Sequence, residues 1–112
     1  MSRLNIEGSE ISGSTFMNAN KFGTVVQTLT GTYTIDADSP NVLALDPGGA
    51  ARNVDLPAEA NGLFYIIANA ADAAENITVR NDAAGTVGTV GQNEVGVVFC
   101  IGTTWFIFVG VA

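Results

Sequence analysis

The sequence contains no histidine, a single cysteine, four basic residues and no apolar run long enough to span a membrane as a helix. Each shortage removes a class of function. Without imidazole there is no Ser-His or Cys-His nucleophile pair and no histidine-ligated metal. Cys100 has no second cysteine to pair with, so no disulfide forms within the chain, and its place in the apolar run Val97 to Ile101 marks a core thiol. Lys plus Arg number 4 against 11 Asp plus Glu, the formal net charge is −7, and Arg3, Lys21, Arg52 and Arg80 are scattered. Nucleic acid is therefore not an expected partner, because phosphate binding needs clustered cations. A helical span takes about 20 apolar residues and a secretory leader an apolar core of at least about 7, and neither is found. The expectation is a protein made in a cytoplasm, with no membrane partner.

What the sequence does hold is 112 residues, 47% hydrophobic and only 13% charged, the profile of one packed domain. The segment from Leu43 to Asn69 organises it. Leu43 and Leu45 alternate with Ala44, Val54 and Leu56 alternate with Asp55, and Asp46-Pro47-Gly48-Gly49 lies between them, which reads as an opening hairpin. Asn61-Gly62 marks another turn, and Leu63 to Ala68 reads as a central strand. Upstream, Thr24 to Thr30 and Thr32 to Ile35 are β-rich around Gly31. Downstream, Asn76 to Arg80 is a strand, Asn81 to Gly85 its turn, and Glu94 to Ile101 with Thr104 to Val109 a hairpin across Gly102-Thr103. About eight short strands with turns every ten residues or so predict an all-β fold: a small antiparallel sandwich or jelly-roll-like barrel over residues 23–112. Residues 1–22 are expected to form an extended N-terminal arm, because Leu4, Ile6, Ile11, Phe16 and Met17 punctuate an otherwise polar stretch.

Three runs exceed what such a body needs. Leu63 to Ile67, Val97 to Ile101 and Trp105 to Val109 are apolar at consecutive positions, whereas a strand of a small sandwich keeps one polar face. A second apolar face requires a cover, and another subunit supplies one. Placing Phe106 and Phe108 in that interface removes on the order of 300 Å² per subunit from water. At ~25 cal/mol per Å² that is several kcal/mol before association costs.

Catalytic and metal chemistry find little to stand on. Asp36 and Asp38 lack the further oxygen ligands, glycine and glutamate of a calcium loop, so they read as turn formers. Asp36 with Asp38, or Asp55 with Glu59, are the carboxylate pairs available for acid–base work. Gly85 to Gly91 has no P-loop lysine and no following helix, so it is a short β segment with tight corners and not a phosphate loop. Tyr33, Tyr65 and Trp105 are the candidates for a sugar-stacking surface, although Tyr65 and Trp105 sit in core-like strands. No enzyme activity, metal or cofactor is expected.

The segments Leu45 to Pro57, Gly62 to Asn69, Ala71 to Val79 and Gly102 to Phe106 resemble a small β module of tailed-phage virion proteins, of the kind found in capsid decoration (cement) proteins and in tail fibres. The likeness covers about Gly31 to Val109 and carries no catalytic residue. Taken as a complete chain, 112 residues leave no length for a fibre shaft, so the expectation is a decoration protein. The resemblance implies a homo-oligomer, a trimer, on the virion exterior. There it would clamp neighbouring major capsid proteins, with Leu4, Ile6, Ile11, Phe16 and Met17 touching the capsid or the adjacent protomer. The alternative is a carbohydrate- or receptor-binding module of a tail or head fibre, using the loops Asp36 to Asn41 or Asn81 to Gly91. A third is an oligomeric cytoplasmic β protein unrelated to virions.

Overall fold

A computed structural model describes residues 21–112, and among these there is no helix. Nine strands form: β1 (Thr24–Thr28), β2 (Tyr33–Thr34), β3 (Val42–Asp46), β4 (Arg52–Asp55), β5 (Phe64–Asn69), β6 (Ile77–Arg80), β7 (Thr86–Val90), β8 (Glu94–Ile101) and β9 (Thr104–Val111). They make a five-stranded sheet in the order β1-β3-β5-β8-β9 and a four-stranded sheet in the order β2-β4-β6-β7.

The all-β expectation holds, but the pairing departs from an antiparallel body. β1, β3 and β5 run parallel, as do β2, β4 and β6, and only β5-β8, β8-β9 and β6-β7 are antiparallel. A jelly roll is built from antiparallel Greek keys, so these parallel ladders depart from it. The expected hairpin over Leu43 to Leu56 is likewise corrected, because β3 and β4 belong to different sheets. From β1 to β6 successive strands alternate between the two sheets, so each β-turn-β unit there forms one layer of a coil stacked on the next. The long crossover that parallel neighbours require is supplied by the strand in the opposite sheet. The final hairpin and the central position of β5 are as expected from sequence.

Corners of the coil are fixed by side chains that bond the backbone. The Asp46 carboxylate accepts from Gly48 N–H at 2.9 Å, while Arg52 Nε donates to the Pro47 carbonyl at 2.8 Å. Gly48 has φ +78°, and a Cβ there would lie 2.5 Å from the Leu29 carbonyl oxygen, so the two layers meet at a place only glycine fits. Asn69 locks the next corner: its amide donates to the carbonyls of Glu75 (2.8 Å) and Val90 (2.9 Å), and its oxygen accepts from Ala71 N–H (2.9 Å). The Val90 carbonyl and the Ala71 N–H would otherwise be left without a partner in a buried region.

The core lies between the sheets. Leu43, Leu45, Tyr65, Ile67, Val98, Cys100 and Trp105 from the five-stranded sheet meet Val54, Ile77, Val79 and Val90 from the other. Cys100 is buried there as a free thiol. Tyr65 and Trp105 pack with ring centres 6.3 Å apart. Gly88 and Gly96 admit this packing, since a Cβ at either would press on Ile107 or Val90 at 2.9 and 2.8 Å.

Candidate functional site

The outer faces of the two sheets differ in kind. On the four-stranded sheet, the positions opposite the buried Val54, Ile77, Val79 and Val90 are Asn53, Asp55, Thr78, Arg80 and Thr89. Asp55 and Arg80 are register partners on adjacent parallel strands, bonded twice, Nε to Oδ1 at 2.6 Å and Nη2 to Oδ2 at 2.9 Å. That hydrogen bond raises the guanidinium pKa above its ordinary value. This face is polar and its charges are paired, as suits an outer face.

On the five-stranded sheet the outward positions are apolar almost throughout. One row across the strands reads Thr24, Val42, Ile66, Val97, Phe108, and the next Val26, Ala44, Ala68, Val95, Gly110. A third row sets Phe64 beside Phe99 and Phe106. Phe99 and Phe106 stack at 5.5 Å, and Phe22 meets Phe64 edge-on at 5.7 Å. Asp46, beside Thr28 at one margin, is the charged side chain among these outward strand positions. Phe108 is 70% exposed, Ile101 61% and Phe106 47%. Contiguous exposed apolar surface of this kind is uncommon on a monomeric soluble protein.

The structure therefore places Phe106 and Phe108, the two expected interface residues, side by side on the exposed face. Leu4, Ile6, Ile11, Phe16 and Met17 lie outside the described residues. The carboxylate pairs do not form acid–base sites. The Asp36 carboxylate accepts from Asp38 N–H at 2.9 Å and from the Ser39 hydroxyl at 3.3 Å, an Asx turn, and Asp55 is held by Arg80. Tyr65 and Trp105 are core residues and offer no stacking platform. The Tyr65 hydroxyl donates to the Asp36 carbonyl at 3.1 Å; burial, and then the Asp36 and Asp38 charges, raise its pKa.

One cluster escaped the sequence. Asp46, Asp72 and Glu75 bring carboxylate oxygens within 4.8 Å of one another at the corners of the second and third layers, and Glu75 Oε1 is buried with no hydrogen-bond partner among the described residues. Such oxygens are the hard ligands divalent cations prefer. Asp72 is exposed and Asp46 is already engaged by the turn, so the cluster alone does not define a site.

No family model and no curated protein matches this chain. A solved structure described as a chaperone-substrate complex contains a similar fold, with a TM-score of 0.50 and 15% identity over 76% of this chain. This chain corresponds to 17% of that chain's length. At that identity the likeness concerns the fold alone.

Proposed function

We propose that this chain is a structural virion subunit that binds the outside of a phage capsid as a homo-oligomer, a trimer, and stabilises contacts between major capsid proteins. The observation that carries the assembly part is the apolar outer face of the five-stranded sheet set against the polar outer face of its partner sheet. Only one of the two faces is built for water, and the other calls for a protein cover. The capsid part rests on the resemblance of Leu45 to Pro57, Gly62 to Asn69 and Gly102 to Phe106 to tailed-phage virion modules. Contacts repeated by each subunit add as avidity, so a trimer holds where a single copy would dissociate.

Two measurements test the reading. Gel filtration with light scattering gives the oligomeric state, and a monomer at all accessible concentrations would end it. Titration onto undecorated capsids should show saturable binding. No capsid binding together with binding to host-surface glycans would instead favour the receptor-binding module.

A further inference from the structure

The apolar face of the five-stranded sheet is graded in thickness. Bulk gathers at its β8–β9 margin, where the exposed Phe99, Phe106 and Phe108 alternate with the buried Val98, Cys100 and Trp105. Toward β1 and β3 the ground falls away. Ala44, Asp46 and Ala70, with Val26, Gln27 and Thr28 of β1, line an open hollow of about 270 Å³, and Ala68 continues the low ground beside Ala44. A face shaped this way does not close on a flat surface, because the rings would hold the two apart and leave the alanines uncovered. Stable interfaces pack at the density of protein interiors, so the raised margin needs a recess. The same chain carries one at its other margin.

Charge and area select a second copy as the occupant. Copies carry a formal net charge of −7 each and repel, yet the outward strand positions of this sheet hold only Asp46, which already accepts from Gly48 N–H. An aromatic ring entering the hollow therefore buries no free cation or unpaired donor, and its positive edge suits the Asp46 carboxylate. Phe108, 70% exposed, is the most exposed aromatic side chain among the described residues. At ~4.8 Å per strand and ~3.3 Å per residue the face covers roughly 500 Å². Three copies closing on it bury about 1,500 Å², within the ~1,200–2,000 Å² typical of specific association.

We propose that the Phe108 margin of one copy seats in the hollow beside Ala44 and Val26 of the next, and that three such head-to-tail contacts close a ring. This rests on the homotrimer reading and adds to it which halves of the face meet. Knob and hollow lie at opposite margins of one sheet, so each copy passes the contact on, and a third of a turn closes it without leaving a free end.

Disulfide trapping on the full chain tests it. Within one chain Ala44 and Phe108 lie three strands apart, about 14 Å, too far for a disulfide, which needs Cα atoms within about 7 Å. Oxidised A44C/F108C chain should therefore link between copies and run as a covalent trimer without reductant, while A44C or F108C alone stays at monomer mass. The native Cys100 is buried in all of them. V26C/F108C, whose first position is 84% exposed, repeats the test without touching the floor of the hollow. A covalent dimer, an open ladder of larger species, a cross-link by F108C alone, or no cross-link in chains that light scattering shows to be associated overturns the proposal and leaves the homo-oligomer standing. Unaltered chains that stay monomeric in light scattering end both.

Discussion

Replacing Phe108 with aspartate is the most direct way to ask whether the apolar sheet face holds subunits together. Phe106 is less suitable, because it stacks on Phe99 within the chain and its loss would disturb the monomer. Phe108 is 70% exposed and projects from β9 beside Val97. Taking a phenylalanine as roughly 200 Å² of burial, its exposed part is about 140 Å², and covering it contributes about 3.5 kcal/mol at ~25 cal/mol per Å². Each 1.4 kcal/mol is a factor of ten, so Phe108→Asp should weaken association by roughly 300-fold per contact, and more if the carboxylate is desolvated.

The fold itself should be nearly indifferent, shifting by no more than about 0.5 kcal/mol, because the substituted side chain faces outward. Sedimentation velocity across a dilution series, together with thermal unfolding of the same samples, separates the two effects. Thr89→Asp adds the same charge on the opposite, polar face and serves as the control. Weakening by less than about tenfold, or equal weakening by Thr89→Asp, would refute the claim that the five-stranded sheet supplies the interface.

Four further outcomes follow from the packing. Gly48→Ala should cost about 3 kcal/mol in chemical denaturation, because φ +78° and a 2.5 Å approach to the Leu29 carbonyl both oppose a side chain. Gly49→Ala, with open space at φ +106°, should lose only the backbone share, roughly 1–2 kcal/mol. Asn69→Ala should lose roughly 3 kcal/mol in the same assay, since it strands the Ala71 N–H and two carbonyls at a buried corner. Tyr65 has its pKa raised above 10.0 by burial and by the Asp36 and Asp38 charges, so the fold holds the neutral phenol. Its stabilisation is complete below that pH and is lost as pH climbs through the folded pKa, because the unfolded chain ionises first. Thermal unfolding between about pH 9 and pH 11 should therefore show a decline that Tyr65→Phe flattens, at a loss of about 1 kcal/mol near neutrality for the missing O–H bond.

Strands were legible because a half-buried strand repeats every two residues, as Leu43, Leu45, Val54 and Leu56 do, and because the Val97 to Val109 hairpin sets two β-favouring apolar runs either side of Gly102-Thr103. Strand direction was not legible, since alternation reads the same both ways. Asp46-Pro47-Gly48-Gly49 carries the turn chemistry of a hairpin, yet the same chemistry also makes a corner that passes the chain to the other sheet. What separates the two is long-range: Leu29 N–H reaching the Asp46 carbonyl, and Gly48 fitting beneath the Leu29 carbonyl. The exposed Phe106 and Phe108 were legible because runs with no polar member leave no face for water. The Asp46, Asp72 and Glu75 cluster was not, because only the stacking of layers brings those positions together.

The placement of charge leads to a last prediction. The chain carries a formal net charge of −7, so copies of it repel. Asp36, Asp38, Asp72 and Asp82 are exposed in loops, whereas the outward positions of the five-stranded sheet hold Asp46 alone at their margin. Subunits that meet on this face join where repulsion is weakest, and they bury no ion pair in doing so. Screening should then help them: at 0.15 M salt the Debye length is about 8 Å, and at 0.01 M about 30 Å, so like-charged loops at the rim oppose each other strongly only in dilute salt. Association measured by sedimentation should tighten as sodium chloride rises from the lower to the higher of these concentrations. An interface closed by salt bridges would weaken over the same range, and that result would move the contact away from the apolar sheet and onto the charged loops or the Asp55–Arg80 face.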